Sequence, residues 1–427
     1  MNNNQTNRNL SGSLGGIGRA LSSRNFVLYC FGLGLSLTGI FVFVVALGWV
    51  TWELTNSASW VGIIVLAETL PGVVISPLAG VIIDRTSAKR ALFWAQLVSA
   101  VFMAVLTVVT FADLITIELL MLFAILNGSL SGIAFPAHFA IMPKLVPRDD
   151  LSAAIAFQSS VSQAARFIGP ALAGVLIIWA GGGMAFAYNT LSYSAFLVAL
   201  VLIDIDESQE IKPASPGIAD DLIAGFKYAW SNIHIRLLLV VAVALGILLR
   251  PIVELMAAYV GSVLESGAGD LAWLLASAGA GAMVASLWLA RRGKTKGLTR
   301  IMLANFMITA IILVAFLYTR DVAIGIVLIA LYGFCSTGVL VCNQTLIQST
   351  VEDHMRARVM SLYALTIRAI PAFGAFMVGQ LSELVGLVSS LLGGAVLGFV
   401  FWIWIRGTIR RNRITGDIEQ EAPGTKN

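Results

Sequence analysis

The sequence predicts an all-α membrane protein of twelve transmembrane helices in two pseudo-symmetric six-helix bundles, and three observations carry that prediction. Hydrophobic residues are 58% of the 427-residue chain, with 40 glycines besides, and charged residues only 12%, about half the quarter usual in soluble domains. A globule in water would therefore hold more apolar side chain than its interior can take. The apolar residues gather in twelve runs of the order of 20 residues, the length that crosses a bilayer as helix. Basic residues, finally, fall almost wholly on one side of the ladder those runs make. The same composition excludes a soluble enzyme, a nucleic-acid binder and a disordered chain.

Residues 1–25 are polar and Gly/Ser-rich, with no short apolar stretch and no A-x-A-like site, so we expect a cytoplasmic tail and no cleaved signal peptide. Six runs follow: Phe26 to Leu54, Trp60 to Ile83, Ala88 to Phe111, Leu114 to Met142, Leu151 to Trp179 and Met184 to Ile203. The second six are Leu237 to Leu264, Leu271 to Ala290, Leu298 to Tyr318, Val322 to Thr350, Val359 to Leu384 and Val385 to Trp404. No charge separates the last two, and the boundary is set from Gly386. This gives an N-terminal bundle at 26–203, a linker at 204–235, a C-terminal bundle at 236–406 and a tail at 407–427.

Of the 27 Lys and Arg residues, 23 lie on the side of the ladder that holds both termini and one, Arg320, on the other; Arg166, Arg250 and Arg368 lie within spans. By the positive-inside rule both termini are cytoplasmic in a bacterial inner membrane. The linker is the longest polar interval, and Ile218, Leu222, Phe226 and Trp230 recur in it every four residues behind Pro216 and Gly217, with Asp220 and Asp221 in the first turn. That spacing describes an interfacial amphipathic helix. An internal repeat joins the halves. The loop Pro143–Asp150 precedes a span with Arg166 and then Gly169-Pro170, while the loop Gln348–His354 precedes a span with Arg368, Pro371 and Gly374. Duplicated six-helix halves around a central site are transporter architecture.

Between the second and third runs stands Gly80-Val81-Ile82-Ile83-Asp84-Arg85-Thr86-Ser87-Ala88-Lys89-Arg90. It resembles the G-x-x-x-D-R-x-x-x-[KR]-[KR] signature of the major facilitator superfamily. Further stretches, WVTWELTNSASWVG from Trp49, PAHFAIMP from Pro136, ARFIGPALAG from Ala165, RPIVELM from Arg250 and MRARVMSLYAL from Met355, are similar to the branch that includes the enterobactin exporter and macrolide-type efflux pumps. The resemblance implies the major facilitator fold, with helices 1, 4, 7 and 10 around the cavity and helix 11 beside helix 2. It also implies a cytoplasmic latch from Gly80, Asp84, Arg85, Lys89 and Arg90, with Arg356 and Arg358 as partners across the halves. An aspartate ending a helix attracts a neighbouring helix N-terminus, and the cations hold anionic headgroups. Gly169, Pro170 and Gly174 partly match the antiporter signature G-P-x-x-G-G, with Ala173 in place of a glycine. They supply a loosened backbone and small residues for close helix packing. Gly128 with Gly132 and Gly394 with Gly398 read as packing. The chain departs from the branch at Ala257, where Pro is common, and lacks the helix 4 arginine of many drug antiporters.

Charge within a span costs about 2.5–3.5 kcal/mol on insertion scales and needs a partner or a task. Five residues qualify as coupling or substrate contacts: Glu68, Arg166, Arg250, Glu254 and Arg368. Arg250 and Glu254 share a helix face beside Pro251 and suit an ion pair. Glu68, ahead of Pro71, has no local cation, which suits a carboxyl that loads and releases protons. At 1.5 Å per residue Arg368 lies roughly 18 Å in from Arg356 and Glu68 roughly 24 Å in from Asp84, an offset an arginine spans. The five sum to one positive charge. That excess fits an anionic or catecholate-like substrate and equally fits arginines paired to backbone carbonyls.

Cys30, Cys335 and Cys342 lie in apolar runs and read as small core residues, and His138, His234 and His354 have no second ligand at metal spacing. No cofactor and no metal are expected. Without a phosphate-binding glycine loop or a nucleophile elbow, neither ATP use nor an enzyme activity is indicated. The chain is expected to be a proton-coupled exporter (antiporter) of an amphipathic small molecule such as a siderophore or drug, by alternating access. Its partners are the lipid bilayer, the substrate and protons, with no nucleic acid, and a monomer is expected. An importer of a nutrient or lysophospholipid, or a transport-inactive membrane sensor or assembly partner, stands as the alternative.

Overall fold

The computed structural model describes residues 15–85, 87–205, 218–293 and 295–411. Among the described residues the regular structure is helical, with no strand. The transmembrane helices are α1 (Arg24–Thr55), α2 (Ala58–Arg85), α3 (Ala88–Phe111) and α4 (Ile117–Ile141), followed by one unbroken run, Leu151–Leu202, that holds both α5 and α6. The chain departs from helix in that run only at Ala180 (φ −151°, ψ 28°) and Gly181 (φ 72°, ψ −176°). A Cβ disfavours positive φ, so glycine at 181 lets α5 pass into α6 with almost no loop.

In the second half, α7 is in pieces, Ile233–Ala244, a π turn at Leu245–Leu249, Pro251–Glu254 and Met256–Ser262. Then come α8 (Ala268–Arg292), α9 (Leu298–Tyr318), α10 (Val322–Thr350), α11 (Asp353–Val385) and α12 (Leu387–Arg411). Ten described helices are long and apolar enough to cross a membrane. Leu151–Leu202 counts as two spans and the broken α7 completes the twelve. Gly386, at φ 84°, separates α11 from α12 where the sequence puts the boundary.

Local chemistry sets the ends. Ser87 Oγ accepts from the Arg90 amide at 3.1 Å to open α3, and Thr116 Oγ1 from the Leu119 amide at 3.4 Å to open α4. Asp321 Oδ1 accepts from the Ala323 and Ile324 amides at 2.7 and 3.1 Å to open α10, and Asn232 Oδ1 from the His234 and Ile235 amides at 3.0 and 3.3 Å to open α7. Each satisfies donors that a helix start leaves unpaired.

The packing forms two compact units. One takes the described residues within Met1–Leu47 and Pro71–Ser215, the other those within Gly48–Leu70 and Pro216–Asn427. The division falls inside α1 and α2, whose adjoining ends, Gly48–Leu70, pack with the second unit. In the first unit the core at the end carrying the basic loops gathers Phe26, Tyr29, Leu92, Ile141, Phe196 and Leu200, all buried. The short helix Gly15–Ala20 is tied there by Arg19, whose Nη2 lies 2.8 Å from Asp150 Oδ1. Lys89 Nζ donates to the Ile203 carbonyl at 2.6 Å and closes the end of α6. Large apolar side chains such as Trp94, Trp179 and Trp273 stand more than half exposed, as fits a surface solvated by lipid tails. Lipid gives helices no hydrophobic reason to associate, so close contact rests on small residues. A Cβ on Gly132 of α4 would come within 2.7 Å of the Gly72 carbonyl oxygen of α2, and one on Gly394 of α12 within 2.5 Å of the Leu248 carbonyl oxygen of α7.

Candidate functional site

The second unit brings together four of the five intramembrane charges, Glu68 of α2, Arg250 and Glu254 of α7 and Arg368 of α11, each partly buried. The charges that act on Glu68 are the Arg368 guanidinium and the Glu254 carboxylate, and Thr69 Oγ1 donates to Glu68 Oε2 at 3.2 Å. Arg250 Nη2 lies 3.8 Å from Glu254 Oε1, with the two side chains 21% and 23% exposed. The hydroxyls of Tyr332 on α10 and Tyr363 on α11 lie within the field of Arg250, and Tyr332 also within that of Glu254. Two cations, two carboxylates and two phenols thus share one neighbourhood.

That neighbourhood is built on irregular backbone. α7 breaks around Pro251: a π turn ends at Leu249, and after Glu254 the chain leaves helix again at Leu255 (φ −96°, ψ 13°). Pro251 has no amide hydrogen to donate, and a π turn frees a carbonyl. Tyr332 OH donates at 2.8 Å to the Leu249 carbonyl, whose usual helical donor, the Val253 amide, bonds the Arg250 carbonyl instead at 3.0 Å. α11 lies close against the turn, since a Cβ on Gly374 would come within 2.9 Å of the Gly246 carbonyl oxygen. The π turn is not visible in a hydrophobic pattern, which keeps its apolar residues through it.

The start of α2 is fastened to α11 as well. Ser57 Oγ donates to Glu383 Oε1 at 2.7 Å, and Gln380 Nε2 donates to Ser59 Oγ at 2.5 Å. A Cβ on Gly62 would meet the Ala375 carbonyl oxygen at 2.7 Å, and one on Gly379 the Ala58 carbonyl oxygen at 2.8 Å. Ser57 and Ser59 lie in the stretch from Trp49 that carries the resemblance, but no role was read for them or for Gln380 and Glu383; a Glu beside the last residue of an apolar run was the available signal.

Arg166 lies in the other unit. It is exposed, and its guanidinium carbon stands 5.4 Å from the centroid of the Phe41 ring of α1. Gly169, one turn on, abuts Phe41 Cβ and has the Thr38 carbonyl oxygen 3.2 Å from its Cβ position, so the contact found for the Gly169-Pro170 stretch is with α1 in the same unit. Pro170 and Gly174 are buried. Phe41 is therefore shared between the arginine and the packing motif.

The latch residues show local partners. Gly80, Asp84 and Arg85 end α2, and their side chains lie outside the described residues. Lys89 holds the Ile203 carbonyl, as above, and Arg90 is exposed. Arg356 Nη2 pairs with Asp353 Oδ1 at 2.6 Å, one turn back on α11, and Arg358 Nη1 lies 3.6 Å from Met355 Sδ. His138 has Nδ1 2.8 Å from Tyr29 OH and stacks on Phe196 with centroids 5.6 Å apart. The three cysteines are buried and unbridged. Among the described residues no group of three His, Cys, Asp or Glu is placed to hold a metal ion.

Twelve helices, an internally repeated layout and intramembrane charges gathered at a broken helix define a membrane transporter of the major facilitator fold. The profile of a family described as transmembrane secretion effector matches residues 21–414. The chain belongs to that family. Its relatives include the staphyloferrin A transporter of Staphylococcus aureus, 22% identical over 83% of this chain and 88% of that one. The multidrug efflux pump Tap of Mycolicibacterium fortuitum is 21% identical over 82% and 87% of the two chains. Macrolide efflux protein A of Streptococcus pyogenes is 29% identical over a shorter stretch, 30% of this chain and 32% of that one. In fold the chain is similar to the nucleoside transporter NupG, with a TM-score of 0.73 and 11% identity over 90% of this chain and 98% of that one.

Proposed function

We propose that this protein is a proton-coupled exporter that moves an amphipathic small molecule, of the siderophore or drug class, out of a bacterial cell by alternating access. The observation that carries the reading is the meeting of Glu68, Arg250, Glu254 and Arg368 at the broken α7. A carboxyl beside a guanidinium in a low-dielectric site holds its proton or its cation in turn, so that protonation and helix contact exchange with one another. The relatives named for staphyloferrin A, for several drugs and for macrolides support an amphipathic cargo.

In this reading the bundles at 26–203 and 236–406 are the two halves that alternate access, and the linker at 204–235 joins them. Both termini are cytoplasmic, as the 23-to-1 distribution of basic residues supports. Arg166 on Phe41 offers the cargo a cation beside an aromatic face. Gly80, Asp84, Arg85, Lys89 and Arg90 form the latch together with Arg356 and Arg358, and the protein works as a monomer.

The test is proton movement in inside-out membrane vesicles under an imposed pH gradient, while siderophores, macrolides and other amphipathic compounds are added in turn. One class of compound is expected to release protons from the wild-type vesicles, and Glu68→Gln is expected to abolish that release while still binding the compound. Undiminished release in Glu68→Gln would remove Glu68 from coupling. Uptake of a labelled compound without proton movement would replace protons by another ion. Binding without any flux would favour the sensor reading.

A further inference from the structure

The transport reading leaves unused the linker helix, Ile218–Ser231, whose surface is divided in a way that names a partner. At about 100° per residue, Ile223, Phe226, Lys227 and Trp230 fall within an arc of about 100°, and Gly225 and Ala229 lie opposite. Gly225 and Ala229 are buried, and a Cβ on Gly225 would meet the Arg358 backbone of α11 at 3.1 Å. On the other face Ile223 is 65% exposed, Phe226 53% and Trp230 56%. The small residues seat the helix on α11, and the large apolar ones face away from the protein.

The orientation identifies what those large residues meet. The helix axis is bent by 108° from the first part of α7, across Asn232, whose side chain caps α7. Since α7 crosses the membrane, a helix bent by 108° from it runs close to the bilayer plane, at the end of the bundle that carries the basic loops. Phe226 and Trp230 stack there with ring centroids 5.7 Å apart. The Arg236 guanidinium carbon stands 5.6 Å from the centre of the Trp230 ring, and Arg236 Nη1 donates to the Trp230 carbonyl at 3.3 Å. Aromatic rings backed by Lys and Arg are the composition that settles at headgroup depth.

We propose that the linker helix is a phospholipid-binding element. Ile223, Phe226 and Trp230 enter the boundary between headgroups and acyl chains, and Lys227 with Arg236 holds an anionic phosphate headgroup. Lys227 lies at the edge of the apolar arc, where its stem follows the apolar surface and its ammonium reaches the phosphate layer. The helix runs directly into α7 and seats on α11, so the lipid that holds it sets the depth of the two helices bearing Arg250, Glu254 and Arg368.

The test places a nitroxide label at Ile223→Cys, Phe226→Cys or Trp230→Cys, with Cys30, Cys335 and Cys342 changed to Ala and each variant shown to be monodisperse. The protein is studied in nanodiscs of phosphatidylcholine alone and with phosphatidylglycerol added. The reference is a label at Glu352, whose side chain is 66% exposed. At all three linker positions oxygen collisions are expected to exceed those of a water-soluble nickel chelate by several-fold relative to the reference. Phosphatidylglycerol is expected to slow the labels further, and Lys227→Gln to remove that slowing without changing depth. Chelate collisions like those of the reference would put the helix in water and overturn the proposal. Spin–spin broadening in singly labelled protein would put a second copy of the chain on this face and overturn it equally. Unchanged slowing by phosphatidylglycerol in Lys227→Gln would overturn the headgroup assignment.

Discussion

The Tyr332 hydroxyl donates to the Leu249 carbonyl at 2.8 Å, one residue before Arg250 and at the last position of the π turn in α7. The bond joins α10 to the irregular backbone that carries the charged pair. Tyr332 is 1% exposed, so water cannot take its place. Tyr332→Phe keeps the ring and removes the bond. Hydrogen bonds inside membrane bundles measure about 0.6 kcal/mol on average and up to about 1.7, and the loss of stability should lie in that range when unfolding is followed in mixed micelles. Transport should fall further than stability, since Arg250 and Glu254 lose the support that aims them. Transport equal to wild type with the stability loss present would show Tyr332 to be a structural residue only.

Arg250 and Glu254 neutralise one another at 3.8 Å with about a fifth of each side chain exposed. Breaking such a pair from one side leaves a charge without its partner, a loss that reaches about 3–5 kcal/mol where burial is complete and should be smaller here. Arg250→Met and Glu254→Met should therefore each destabilise more than the double variant does. The double-mutant cycle should show a coupling of about 1 kcal/mol or more, read from thermal unfolding in detergent. Independent effects that simply add would mean that each side chain is held by other groups.

Much of the fold was legible because lipid imposes strong rules on sequence. The run from Leu298 to Tyr318 is the helix the structure contains, residue for residue, and Gly386 divides α11 from α12 as its position suggested. The four-residue spacing of Arg250 and Glu254 also foretold their approach. The π turn was hidden because one extra residue in a turn leaves an apolar run looking unchanged. Phe41 beneath Arg166, and Ser57 opposite Glu383, are joined by tertiary packing across more than a hundred residues, for which no local signal exists. Depth along two helices set Arg368 near the level of Glu68 once the resemblance implied helix 11 beside helix 2, but nothing pointed to Thr69 as a donor to the same carboxylate.

Gly374 offers a test of the packing beneath the charged site. Its Cβ position lies 2.9 Å from both the Gly246 carbonyl oxygen and Ile247 Cα, backbone atoms with no flexible side chain to move aside. Gly374→Ala should cost about 1–3 kcal/mol through overpacking and should push α11 from the π turn. Gly393 has nothing within 4 Å of its Cβ position. Gly393→Ala should thus leave stability unchanged or raise it slightly, because alanine restricts the unfolded chain. Unfolding midpoints of the two variants, measured side by side, check both signs; equal midpoints would mean that α11 and α7 part easily at Gly374.

Phe41 and Arg166 allow a test in the other unit that does not depend on knowing the cargo. The guanidinium carbon lies 5.4 Å from the ring centroid, within the range of a cation–π contact. Phe41→Leu keeps apolar volume against Gly169 but removes the π face, and Arg166→Gln removes the cation. An exposed contact of this kind is worth about 0.5–1 kcal/mol, so stability in a double-mutant cycle should show a coupling of that size. Arg166→Lys keeps the charge while losing the planar group that stacks, and should behave like Phe41→Leu in the cycle. In transport, Arg166→Lys should retain part of the activity that Arg166→Gln loses if the cargo meets a positive charge here. Equal loss in both would assign the residue's value to the shape of its guanidinium.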